Sequence, residues 1–321
     1  MRALRLRSFG GPEVLEVAEV AVPGPPRGDQ ILVRVHTAGV NRADILQRQG
    51  HYPAPPGSSP DILGLEFAGA VTASGPDVRD ISVGDRVMGI VGGGAQAEYV
   101  LTSEPLAIRV PDVVSDIEAG GIPEAYITAR DALYGLGSLA SGERVLIHAV
   151  GSGVGIAALQ LATARGCRVY GTSRSAEKLE KAKALGLDVE IDATVIAFET
   201  VAEDIDVIID FIGAPYLEKN LDALAPRGRL VVVSTLGGVS ASISLRTLMT
   251  KRLSVAGTVL RSRSSVEKAG ATREFVRDVV PLLASGAIKV PVDLVFTLEQ
   301  AAEAHRYVEG NKNFGKVVFK I

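Results

Sequence analysis

Little in this 321-residue chain marks a secreted, membrane-bound or nucleic-acid-binding protein. It has one cysteine, Cys167, so an internal disulfide is excluded and a reducing compartment is the consistent setting. Tryptophan is absent and aromatic residues make up 5% of the chain. Nowhere are aromatics interleaved with basic residues in the way single-stranded nucleic acid requires. Excess positive charge is missing too: 34 Lys and Arg against 37 Asp and Glu give a net charge of −3. No general basic field therefore points to nucleic acid or anionic lipid. No apolar run reaches the roughly 18 residues of a membrane span. The opening MRALRLRSFGG alternates charged with apolar residues and lacks a hydrophobic signal core, so it reads as a strand. The expected location is cytoplasmic.

What is present is a hydrophobic fraction of 47%, enough for a large core, and a length that favours two domains. The first third reads as β. The runs ALRLRSF, VLEVAEVAV, ILVRVHTAGV, LGLEFAGAVTASG, RVMGIV and AEYVLTS are separated by Gly and Pro clusters, the pattern of a sandwich or barrel. One short helix, NRADILQRQG, interrupts them with Asn41 as its N-cap. From Pro123 the pattern changes. EAYITARDALYGLGSLA reads as a helix, and RVLIHAV, CRVYGTS, IDVIIDFIG, GRLVVVST and LSVAGTVL read as uninterrupted apolar strands alternating with helices. Such strands form a parallel sheet covered on both faces. The end reads helix, helix, strand, with GKVVFKI returning to the first domain. The expected layout is 1–122, an inserted domain 123–263, and a returning segment 264–321.

The most informative stretch is HAVGSGVGIAALQLA, residues 148–162. A buried strand runs into Gly151, Ser152, Gly153, Val154 and Gly155, and a helix follows. Glycines let the backbone turn and approach a pyrophosphate, while the helix start offers free N–H groups and a positive dipole end. In this context the loop is a dinucleotide fingerprint rather than a plain strand–helix turn. An NAD site has Asp or Glu about 20 residues on, at the tip of the second strand. Here Thr172, Ser173, Arg174 and Ser175 stand there, with Lys178 a turn further on. Hydroxyls with a guanidinium and an ammonium suit a 2′-phosphate, so the expected cofactor is NADPH. The plainer alternative is that Arg174 and Lys178 are a solvated helix face.

These residues, with FGGPEVL (9–15), AGVNRADILQRQGHY (38–52), LGLEFAGAV (63–71), GDRV (84–87), IPEAYITAR (122–130) and NKNFGKVV (311–318), resemble the medium-chain dehydrogenase/reductase superfamily over essentially the whole chain. Within it the chain is similar to the zinc-free, zeta-crystallin-like quinone oxidoreductases, and NRADILQRQGHYP resembles the tumour-suppressor-inducible subgroup. The resemblance implies an α/β fold in which a doubly wound Rossmann sheet is inserted into a GroES-like β-barrel, with the active site in the cleft. It implies that Tyr52 positions quinone or nicotinamide, that Asn41 and Asp44 lie near the nicotinamide, and that Thr128 and Asn313 contact the cofactor. The alternatives are that Asn41 only caps its helix, Asp44 is a helix-face charge and Tyr52 packs its loop. Zinc-dependent relatives carry Cys where this chain has Asn41, and His-Glu where it has Leu65 and Glu66. His36, His51, His148 and His305 are scattered, each read as core or surface, and Cys167 reads as a packing residue, so no metal is expected. Two features depart from the family: Ser152 stands for the first glycine of a pair, and Ala193 where a tyrosine is common near the adenosine phosphate.

The expected activity is transfer of a hydride from NADPH to a small quinone, chiefly by alignment of donor and acceptor. Two alternatives stand beside it. One is reduction of an enone or enoyl thioester, for which LRSRSS (260–265) is the only basic cluster that would meet the thioester's phosphates. Arg261 and Arg263 are read there as a solvated turn. The other is a non-catalytic, NADPH-binding or RNA-binding role. LSVAGTVL is expected to be an edge strand and, by resemblance, the seam of a homodimer.

Overall fold

The computed structural model describes residues 1–321. The chain forms two compact units, Met1–Ile127 with Leu260–Ile321, and Thr128–Val259. The joints expected at 122/123 and 263/264 lie at 127/128 and 259/260 instead. Bonds into the first unit account for the difference. Glu124 N–H donates to Glu66 (2.9 Å), the Tyr126 hydroxyl donates to Lys289 O (2.8 Å), and Arg261 Nε donates to Gly92 O (2.9 Å). No helix is long and apolar enough to cross a membrane.

In the first unit the long strand Gln30–Val40 pairs antiparallel with Glu66–Ser74, Tyr99–Ser103 and Lys316–Lys320. The sheet continues through Arg86–Ile90 to Ala107–Arg109 on one side and to Val292–Thr297 on the other. Alternation drives it: Ile31, Val33 and Val35 point into a core with Phe67, Val71 and Val87. Each such side chain contributes about 1.5–3 kcal/mol by leaving water. The tail strand returns as expected, with Val317 opposite Val40 and Phe319 opposite Ala38. Val292–Thr297 was not among the expected strands. It lies at the sheet edge with Leu294 and Val295 exposed, and only Phe296 reaches the core, so its pattern does not alternate.

The second unit is a six-stranded parallel sheet. Val189–Asp192, Arg168–Ser173, Arg144–Ile147, Ile205–Asp210, Leu224–Val232 and Ser254–Gly257 lie side by side in that order. In chain order this is 3-2-1-4-5-6, the doubly wound arrangement that gathers strand ends and helix starts at one switch point. Val145, Leu146, Ile147, Val207, Ile208 and Ile209 are all fully buried, the burial on both faces that their unbroken apolar sequence implies. Ser254–Gly257 is the edge, as expected. The helix expected from Glu124 onward is α-helical over Pro123–Arg130 and then π-helical over Asp131–Leu136. In that wider turn Asp131 accepts a hydrogen bond from the Thr258 hydroxyl (2.9 Å).

Candidate functional site

In the second unit the glycine loop follows Arg144–Ile147 and opens the helix Gly153–Ala164. Its sharp turn is made by Ala149, at φ +46°, not by a glycine. A non-glycine residue there costs about 1–2 kcal/mol. The glycines provide close approach instead. A Cβ on Gly155 would lie 2.6 Å from Ala149 O, and one on Gly151 would lie 2.9 Å from Lys178 Cδ. The Lys178 stem thus runs over Gly151, bringing two expected site residues together. Ser152 is the N-cap, its hydroxyl accepting from Gly155 N (3.1 Å). The first-turn N–H groups of Gly153 and Val154 have no partner within the helix and carry its positive dipole end.

The neighbouring strand Arg168–Ser173 is tied to the loop by Val150 N–H donating to Thr172 O (3.0 Å). Ser173 is nearly buried and accepts from Ser175 N (3.1 Å), while Arg174 is exposed. Ser175 caps the helix Ala176–Lys183, and Glu177 is paired with Lys181 (2.6 Å). The strand tip itself carries hydroxyl and guanidinium groups and no Asp or Glu, and Asp192, opposite Ser173 on the next strand, accepts from Thr194 N (2.9 Å). This tip, with the glycine loop and the helix start beside it, fits a nicotinamide dinucleotide. Thr128 is partly buried in the helix Pro123–Arg130.

Beneath the loop His148 is fully buried, and burial pushes its imidazole down to about 4. It is therefore neutral. Asn220 gives its amide to Asp210 Oδ2 (3.2 Å), so Asn220 Oδ1 accepts from His148 Nε2–H (2.7 Å), and His148 Nδ1 accepts from the Thr172 hydroxyl (3.0 Å). Phe198 and Tyr216 pack against the ring.

In the first unit Asn41, Asp44 and Tyr52 belong to one charged cluster. Asp44, in the helix Arg42–Arg48, is fully buried, not a helix-face charge. Its carboxylate accepts from Asn41 N (2.8 Å) and Gly64 N (3.1 Å), and burial still pushes it up to about 6. Gly64 is held at φ +103°, and a Cβ there would lie 2.5 Å from Gln96 N. Asn41 precedes the helix as expected, but its carboxamide does more than cap. It donates to Glu66 Oε1 (2.8 Å) and accepts from Lys316 Nζ (2.6 Å). Glu66 is fully buried, with Lys316 Nζ 2.8 Å from Oε1 and Glu124 N–H 2.9 Å from Oε2.

The expectation for Arg261 was wrong. It is not in a solvated turn: its side chain is buried and donates to Gly92 O, Tyr52 O (3.0 Å) and Gln47 Oε1 (2.6 Å). Its guanidinium lies 5.2 Å from the Tyr52 ring centroid. Burial, with Glu124 nearby, pushes the Tyr52 phenol up to about 12. Asn313 donates to Gly315 O (2.8 Å), in the loop before Lys316. Glu66, Glu124 and Lys316 were not singled out from the sequence. The available signal was a lone acid inside the apolar run LGLEFAGAV, since a buried charge requires a partner.

Two family models match the chain: an alcohol dehydrogenase GroES-like domain over residues 27–112 and a zinc-binding dehydrogenase over 153–275. Human quinone oxidoreductase is 31% identical over 99% of this chain and 97% of its own length. A phenolphthiocerol/phthiocerol polyketide synthase protein of Mycobacterium tuberculosis is 33% identical over 99% of this chain. Of that much longer protein the chain spans only 15%. Among solved structures, a mycobacterial protein complexed with NADPH superposes with a TM-score of 0.89 at 29% identity, covering all of both chains. CurK enoyl reductase superposes at 0.86 and 26% identity, covering 99% of this chain and 98% of its own.

Zinc, named in the second of these families, does not fit the residues here. Where ligands stand in zinc-dependent relatives, Leu65 is apolar, Asn41 is a carboxamide, and the Glu66 carboxylate is already held by Lys316, Asn41 and the Glu124 N–H. No three His, Cys, Asp or Glu side chains come together as a ligand set. His148 and His305 are core residues, His51 is exposed, and His36 is bonded to Asp116 (2.7 Å). Cys167 is buried, with its thiol on Ala140 O. Sheet topology, glycine loop and full-length likeness agree: this chain belongs to the medium-chain dehydrogenase/reductase superfamily, as an oxidoreductase with a GroES-like and a Rossmann unit.

Proposed function

We propose that the chain is an NADPH-dependent quinone reductase that works without a metal. NADPH, when bound, supplies the hydride. Gly151, Ser152, Gly153, Val154 and Gly155 hold the pyrophosphate in this reading, and Ser173, Arg174 and Lys178 hold the 2′-phosphate. The observation that carries the reading is the Asn41–Asp44–Glu66–Lys316 cluster beside Tyr52 and Arg261: a charged site whose carboxylate is neutralised by an internal lysine rather than by metal ligands. Full-length likeness to human quinone oxidoreductase supports the acceptor class. An electron-poor quinone needs alignment more than a Lewis acid.

Enoyl reduction is the second reading, favoured by the polyketide synthase and CurK likenesses. Against a thioester substrate, Arg261 is committed within the first unit, which removes half of the only basic pair offered for its phosphates. The proposed partner is thus a small acceptor rather than nucleic acid or membrane.

Oxidation of NADPH and NADH by chelator-treated protein, with an ortho-quinone or a short enoyl thioester, tests this. Quinone-dependent NADPH loss is expected to outpace NADH loss. Arg174→Ala/Lys178→Ala should raise the KM for NADPH about 10–100-fold, the loss of one or two charge-assisted bonds, and leave that for NADH unchanged. An equal rise for both cofactors would refute the 2′-phosphate site. Turnover of the thioester alone would select the second reading, and no turnover with either would favour a non-catalytic role.

A homodimer across Ser254–Gly257 is proposed with it. Val255, Val259, Leu245 and Met249 are exposed on the second unit, and long apolar edges seek partners. Gel filtration should give twice the 33.6 kDa chain mass, and elution as a monomer would sink the proposal.

A further inference from the structure

We propose that Glu124 is the proton donor of this site, giving its carboxyl proton to the oxygen of the acceptor as that acceptor is reduced. The inference rests on the reductase reading and adds a catalytic residue to it.

Charge is unevenly balanced in the first unit. Three carboxyl groups, Asp44, Glu66 and Glu124, gather with two buried cations, Lys316 and Arg261. Glu66 takes Lys316 in a direct ion pair at 2.8 Å. Asp44 has two backbone N–H donors and feels Arg261. Glu124 has no such donors: its own N–H reaches back to Glu66 Oε2, and its carboxyl group feels Lys316 and Arg261 without a hydrogen bond or ion pair to either. A third negative charge beside two others, with both cations committed, is the least favourable to form. Lys268, partly buried, and Tyr52 complete the charged and titratable groups that face Glu124. The phenol is neutral; burial disfavours the Lys268 ammonium, Glu124 favours it, and the two form no ion pair. Burial and Glu66, followed by Asp44, push the Glu124 carboxyl up to about 8. It is thus a protonated acid at neutral pH.

Position makes the acid usable. Glu124 lies in the first turn of Pro123–Arg130 and is only partly buried, whereas Glu66 and Asp44 are wholly enclosed. Of the three carboxyl-bearing residues it is the one with surface left open, beside the partly exposed Asn41 and Tyr52. An acid whose ordinary range is moved to the working pH is the form that general acid catalysis favours. The chemistry balances. A hydride equivalent enters the acceptor, and one O–H bond forms at the acceptor oxygen as the Glu124 O–H bond breaks. Solvent then returns the proton to the carboxylate. The same step would serve an enone, whose reduced form also needs a proton.

Infrared difference titration of the full chain reads the carboxyl group directly, without turnover. A protonated-carboxyl band present at pH 7, lost as pH rises through about 8 and missing from Glu124→Gln, is expected. With quinone, kcat of the wild type should fall above that pH with a solvent isotope effect. In Glu124→Gln the alkaline limb and the isotope effect should disappear and kcat should drop about 10²–10⁴-fold, the usual scale of general acid catalysis. KM for NADPH should stay unchanged. A Glu124 ionised at pH 7, or a variant that keeps the limb and the isotope effect, overturns the acid role and leaves the reductase reading intact. Wild type without turnover on any acceptor overturns the reductase reading first, and the acid role with it.

Discussion

Lys316→Met is expected to lower the stability of the first unit by about 3–5 kcal/mol, because it strands a buried carboxylate. Glu66 is fully buried, and Lys316 is 5% exposed. The ammonium bridges Glu66 Oε1 and Asn41 Oδ1, while Asn41 Nδ2 returns to Glu66 Oε1. This closed triangle joins the strand Glu66–Ser74, the residue before the helix Arg42–Arg48 and the tail strand Lys316–Lys320. Gly39 packs so closely on the Glu66 carboxyl that a Cβ there would overlap it, so the carboxylate has no room to swing toward water. Removing both charges avoids the uncompensated ion. Glu66→Gln/Lys316→Met should therefore recover most of the loss, and the cycle should show strong coupling. Urea unfolding gives the magnitude, and hydrogen exchange in Gln30–Val40 places it in this unit. A single-variant loss under about 1 kcal/mol, the level of a surface ion pair, would mean that the bridge is solvated and structurally minor.

Legibility from the sequence followed the physics of each element. The central parallel strands could be read because burial on both faces demands unbroken Val and Ile, and the tail strand as a short apolar run, VVF, between lysines; Val189–Asp192, broken by Glu190, could not. The edge strand Val292–Thr297 could not, since one side of it meets solvent and its pairing is long-range. The glycine loop was legible as a cradle, but the residue making its turn was not. Ala149 adopts a positive φ that composition does not suggest, and the surrounding bonds of Val150 and Ser152 hold it there. Asn41, Asp44 and Tyr52 were legible only through resemblance. Their partners Glu66, Glu124, Arg261 and Lys316 are far away along the chain and meet only when the tail returns. Arg261 was misread because a short Arg-Ser run has no local pattern that separates a solvated turn from a buried anchor.

His305→Leu should stabilise the protein progressively below pH 6.5, reaching about 4–5 kcal/mol near pH 3. His305 is fully buried in the helix Ala301–Glu309, and neither ring nitrogen has a hydrogen-bond partner. Burial first, and the nearby Arg48 guanidinium second, push its imidazole down to about 3. The unfolded chain takes up a proton as pH falls through 6.5, and the folded chain refuses it until about 3. Stability is therefore intact above 6.5 and is lost through that window at about 1.4 kcal/mol per pH unit. His148 acts in the same direction, down to about 4. Asp44 opposes both: burial pushes it up to about 6, so the folded chain takes its proton first and gains stability as pH falls toward 4. Wild-type stability alone would mix these contributions, whereas the difference between wild type and variant isolates His305. Leucine also removes two unpaired buried nitrogens, so the variant should be no less stable at pH 7.5. Urea midpoints measured at half-unit steps from pH 7.5 to 3 decide the matter. Parallel curves would place a proton or a hydrogen-bonded water on the ring and move the source of acid lability to His148.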